Sequence, residues 1–164
     1  MNENYTEDRG NTLAGIVGAF LFSLVGGVLW FVLYQFGYVA AISGLVGVIC
    51  AVKGFTFFAK TKNESALCVI LSTIITIVVL AISWYLCIAY DIYVAYQEWF
   101  AAGEVDFTLN LVESVYAVPY FLTDVEILKP YLLDLGLGLL FAILGVIYYL
   151  SIREKKRRRQ GRNN

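Results

Sequence analysis

Histidine is missing altogether from this 164-residue chain, and cysteine occurs three times and proline twice. Without histidine there is no His-containing zinc site, no HExxH metalloprotease helix and no Ser–His–Asp triad. Cys50, Cys68 and Cys87 show no CxxC spacing, and each sits inside an apolar run. They read as small buried hydrophobes rather than a disulfide framework or a metal set. Glycines in "GVICAVKG" lack P-loop spacing, and no serine is flanked as GxSxG. Paired acids are absent from the apolar runs as well, so enzymatic chemistry and a bound cofactor are not expected.

Charge is the next scarcity. Hydrophobic residues make up 60% of the chain, above the roughly 45–50% of soluble domains. Four stretches carry no charge at all. Leu13–Tyr34 is 22 residues long, about 33 Å as a helix, which matches a hydrocarbon core of roughly 30 Å. Gly37–Val52 becomes a span if Lys53 snorkels and "GFTFFA" completes the helix. Ala66–Tyr90 gives 25 uncharged residues and Leu135–Ile152 gives 18. Backbone in lipid must satisfy its own hydrogen bonds, so each run is predicted helical. The expected fold is an all-α polytopic membrane protein with spans near 13–35, 38–59, 66–90 and 132–152. The leading segment 1–12 is acidic, and the run after it is too long for a signal-peptide core.

The charges that do occur are segregated. Eight of thirteen acids lie between Asp91 and Asp134, and seven of twelve bases lie in "REKKRRRQGR" at the C-terminus. The loop "KTKNES" adds Lys60 and Lys62. The positive-inside rule puts that loop, residues 1–12 and the tail 153–164 in the cytoplasm, with an acidic cap 91–131 outside. Lys155, Lys156, Arg157, Arg158 and Arg159 are then topology determinants and candidate contacts for anionic headgroups. No aromatic is interleaved among them, which argues against nucleic acid.

Glycine marks the candidate packing faces. Gly15, Gly18 and Gly26 share one face of the first span, and Gly37, Gly44, Gly47 and Gly54 form a stripe on the second. Small residues let helices approach closely in lipid. The stripes either join the first two spans, with Gly37 at the turn, or meet a second copy of the chain. Lys53 is expected to snorkel to headgroups, since the spans offer it no acid.

The segment between the third and fourth runs is the most individual. Tyr85, Tyr90, Tyr93, Tyr96, Trp99 and Phe100 suit an interfacial aromatic belt. The third span is expected to continue to about Phe100 and end at "AAGE". Asp106 or Thr108 is a candidate cap for a short amphipathic helix that Pro119 ends. Thr123, with Glu126 three residues on, is a candidate cap for another, which Pro130 interrupts. Asp91 and Asp134 each border a span and are candidates to attract a hard cation, although spacing alone does not bring them together.

The blocks "GIVGAFLFSLVGGVLWFVLYQFGYVAAISGLVGVICAVKGF" and "ISWYLCIAYDIYVAYQEWF" through "VPYFLTDVEI" resemble small multi-spanning membrane proteins of Gram-positive anaerobic bacteria. Many of those carry a zinc ribbon ahead of the first block, and this sequence carries none. The resemblance implies a membrane location and transfers no catalytic residue. The expected function is a non-enzymatic membrane protein acting through helix–helix assembly, with itself or a membrane partner. The alternative is a small oligomeric channel or transporter for cations, suggested by the acidic segment.

Overall fold

A computed structural model describes residues 11–36, 41–61 and 65–161, without the side chains of residues 153 and 156–161. Its elements are all helices: α1 (Thr12–Gln35), α2 (Ile42–Ala59), α3 (Ala66–Ala101), α4 (Leu111–Phe121) and α5 (Val125–Gly161). Four of them, α1, α2, α3 and the part of α5 from Val125 to Ile152, are long and apolar enough to cross a membrane. The chain has the architecture of a multi-pass membrane protein.

Local sequence explains where the helices start and stop. Asn11 accepts from the Ala14 N–H at 3.2 Å and Ser65 from the Cys68 N–H at 3.1 Å, each satisfying an amide that the first turn leaves orphaned. α3 runs unbroken past Asp91 for 36 residues, about 54 Å, so it overhangs a hydrocarbon core. It ends where the sequence places the stop. The Glu104 N–H donates to the Trp99 carbonyl and the Gly103 N–H to that of Phe100. Gly103 supplies the positive φ, +75°, that this Schellman closure needs.

Several expectations for the acidic segment are corrected. The cap of α4 is Asn110, not Asp106 or Thr108. It forms a reciprocal box with Glu113, at 2.9 Å for the side chain of Asn110 and 2.8 Å for that of Glu113. Pro119 does not end α4, which continues to Phe121. Thr123 does not start the next helix: its hydroxyl donates back to the Tyr120 carbonyl, and Asp124 instead accepts from the Glu126 N–H at 2.9 Å. That helix is no separate element, because α5 continues through Pro130 into the span and onward to Gly161. Only α4 stands apart from the spans.

α2 and α3 form a central pair, each touching the other and both flanking helices. α1 packs most extensively on α2, and α5 lies mainly against α2. Several hydroxyl side chains of the spans turn inward: Ser23, Ser43, Ser72 and Thr76 are fully buried. Several satisfy themselves on their own helix. Ser23 donates to the Phe20 carbonyl, Thr76 to that of Ser72 and Ser83 to that of Val79, at 2.8, 2.8 and 3.0 Å. They therefore serve as small packing surfaces. Gly27 sits over Ser83 and Gly47 over Thr76, where an added Cβ would come within 2.7 and 2.8 Å. The outward faces are apolar, with Val28 63%, Ile74 53% and Ile143 58% exposed.

Candidate functional site at the acidic end of the bundle

The polar chemistry of the described residues concentrates where α3 leaves the apolar zone. Asp91 is the first charge after the uncharged run, and it is half-buried. One of its oxygens, Oδ2, accepts two phenol hydrogen bonds, from Tyr34 at the end of α1 at 2.6 Å and from Tyr131 on α5 at 2.9 Å. The two tyrosine rings stack, with centroids 6.3 Å apart and planes 25° from parallel. Tyr131 is also held by its backbone, because the Trp84 indole N–H donates to its carbonyl at 2.7 Å. One carboxylate therefore fastens three helices at one level.

Directly beneath lies a cluster of Trp30, Leu80 and Cys87, with Tyr34 and Trp84 packed against it. Trp30 is fully buried, and its indole covers Gly138 of α5 so closely that no side chain fits there. The Trp30 Nε1 has no hydrogen-bond partner among the described residues.

Alongside, α4 docks on α3 around the end of its uncharged run. Val118 is buried with Ile88, Ala89 and Ile92. The Tyr85 hydroxyl donates to the Val115 carbonyl at 2.8 Å. That carbonyl is the one Pro119, four residues on, leaves without an amide donor. Tyr85 supplies the missing donor, which accounts for a helix that survives its proline. Gln97 adds a bond to the Leu109 carbonyl at 3.1 Å. Aromatic rings meet along this edge, Tyr90 tilted against Tyr93, and Tyr96 edge-on to Trp99 and tilted against Phe107.

The residues singled out from sequence fall as follows. The Asp91 hydrogen bonds run to tyrosines and not across to Asp134, which lies half-buried on α5 close after Tyr131. Among the described residues no three His, Cys, Asp or Glu side chains converge as a metal site would require. Gly18 meets the Gly54 backbone, Gly26 meets Gly47, and Gly15 lies under the Phe55 ring, all between α1 and α2. Gly44 faces the Gly138 backbone of α5 instead of α1. Lys53 is exposed on the outside of α2, and Cys50 is only partly buried, whereas Cys68 and Cys87 are buried. Lys155 is exposed on a helical extension of α5. The Gly37 turn, Lys62 and residues 1–10 lie outside the described residues, as do the side chains of Lys156 and Arg157 to Arg159.

Sequence reading did not find Tyr34, Tyr131, Trp84 or the Tyr85–Val115 bond. The available signal was positional: Tyr34 closes the first uncharged run and Tyr131 nearly opens the fourth. No family model, curated protein or solved structure matches this chain.

Proposed function

We propose that this protein is a non-enzymatic integral membrane component that acts by assembling with a second copy of itself through the uncovered face of α5. The observation that carries this reading is the uneven covering of the spans. In α5 only 22% of the most apolar stretch is buried, against 50% in α2. Gly136 lies on that bare face with no atom within 4 Å of where its Cβ would be, while Gly138 and Gly145 of the same helix are closely covered. Glycine within a helix is unfavourable by about 0.5–1 kcal/mol relative to alanine, which an uncompensated site on a lipid face would not explain. Close approach of a second helix would explain it.

Both termini are assigned to the cytoplasm and the acidic end to the outside of the cell membrane, with the basic tail against anionic headgroups. An impermeant thiol reagent should then label Glu104→Cys in intact cells and leave Lys155→Cys unlabelled. The assembly itself is tested by energy transfer between donor- and acceptor-labelled copies in liposomes. Transfer should fall as lipid dilutes the protein and should be lost in Gly136→Leu. Transfer unchanged in that variant would overturn the α5 interface. Cation flux through the same liposomes, abolished by Asp91→Asn, would instead favour the channel reading.

A further inference from the structure

We infer that α4 is an interfacial lipid-binding helix: one face is docked on α3 and the other, Val112, Tyr116 and Tyr120, lies in the headgroup–acyl boundary of the bilayer. This rests on membrane insertion alone and not on assembly through α5, so either reading can fail without the other.

The first support is level. α4 lies beside the end of the span, not above it. Its inner face contacts Tyr85, Ile88, Ala89 and Ile92, which bracket the last turns of the uncharged run. Apart from Glu113 in its first turn and Ser114, which is buried, the side chains of α4 are apolar or aromatic. Val118 and Ser114 are buried on α3, yet the opposite side shows Val112 65%, Tyr116 75% and Tyr120 80% exposed. Beyond that first turn the outward side carries no charge, and an apolar helix face calls for cover. On α3 itself Leu86 and Trp99 are exposed as well.

The second support is where polarity returns. Glu113 sits in the capping box at one end of α4, and Asp124 caps the following helix just past the other. Both ends therefore belong in the polar layer, and the helix, about 16 Å long, lies along the surface without dipping through it. Two tyrosines on the outward face match this depth, since a phenol keeps its ring in the apolar zone and its hydroxyl among headgroups. α4 contains no lysine or arginine, so the contact is made by apolar area and phenols and does not require anionic lipid.

The test places a nitroxide at Tyr120→Cys, and separately at Tyr116→Cys, in the full chain reconstituted in phosphatidylcholine vesicles. Both side chains point outward, so neither change removes an internal contact. Label on the unsubstituted protein gives the background from Cys50, Cys68 and Cys87. Collisions with oxygen should exceed those with a water-soluble nickel chelate at both positions, and the reverse should hold at Glu126→Cys. Nickel exceeding oxygen at residues 116 and 120 would put the face in water and overturn the proposal. A label shielded from both reagents would also overturn it, by showing that a protein surface covers the face.

Discussion

The α1–α2 interface and the acidic rim of this bundle are held together in opposite ways. Between α1 and α2 side chains are removed: Gly18 meets the Gly54 backbone and Gly26 meets Gly47. At the rim side chains are extended: Tyr34, Tyr131, Trp84 and Tyr85 each reach a distant acceptor. The difference follows the solvent. Inside lipid there is no hydrophobic gain in joining two apolar helices, so close packing must hold them. At the boundary water competes, and polar bonds that bridge helices fix which ends meet. The comparison predicts that single changes in the two regions differ in size and kind.

The sharpest break is Gly18→Leu. A side chain there would run into the Gly54 carbonyl and the Phe58 side chain. The carbonyl belongs to a helix backbone and cannot rotate away. Overpacking of this sort typically destabilises by about 1–3 kcal/mol, occasionally more, and a backbone obstacle puts this variant at or above the top of that range. SDS-induced unfolding in mixed micelles should show a large downward shift of the midpoint, with Val28→Leu, on the exposed side of α1, close to wild type. Equal midpoints for the two would mean that α1 and α2 are not glycine-packed.

Asp91→Ala should come next. It removes the acceptor of two hydrogen bonds, and bonds to charged groups contribute about 1.5–3 kcal/mol each. Partial exposure lets water replace some of this, so a net loss of about 2 kcal/mol is expected. Tyr34→Phe and Tyr131→Phe should each lose about 1 kcal/mol, since a neutral partner leaves while the carboxylate stays solvated. The three effects should be non-additive, because they share one oxygen. The same unfolding assay, run with and without added magnesium or calcium, checks the role as well as the size. A fastener gives a midpoint independent of divalent cation, whereas a cation site gives one that rises with it and loses that dependence in Asp91→Ala.

This division also explains what the sequence made legible. The four spans and the end of α3 at "AAGE" follow from local rules: charge-free length, period and glycine at a positive φ. The Asn110–Glu113 box is equally local and has the same spacing as Thr123 and Glu126, but Asp106 and Thr108 precede it as competing polar residues. The rim was not legible, because its bonds join Asp91 to residues 57 and 40 positions away, and Tyr85 to one 30 away. Nothing in spacing selects those partners from twelve tyrosines. Pro119 shows the cost of reading locally. Proline breaks helices because it leaves a carbonyl without a donor and crowds it, and here a donor arrives from another helix.

That account of Pro119 can be tested on its own terms. If Tyr85 matters because it serves the Val115 carbonyl, then restoring an amide at residue 119 should make its hydroxyl redundant. Tyr85→Phe alone should loosen α4, by about 1 kcal/mol, through an unpaired carbonyl in a half-buried setting. Pro119→Ala alone should be neutral or mildly stabilising, since alanine is far the better helix former. In the Pro119→Ala background the penalty of Tyr85→Phe should shrink to a few tenths of a kcal/mol, a coupling of under about 1 kcal/mol. Amide hydrogen exchange along α4 measures each corner of the cycle, and the protection of α1 and α2 should not move. A full Tyr85→Phe penalty in both backgrounds would mean that the tyrosine acts through ring packing against α4, and that α4 tolerates its proline without help from α3.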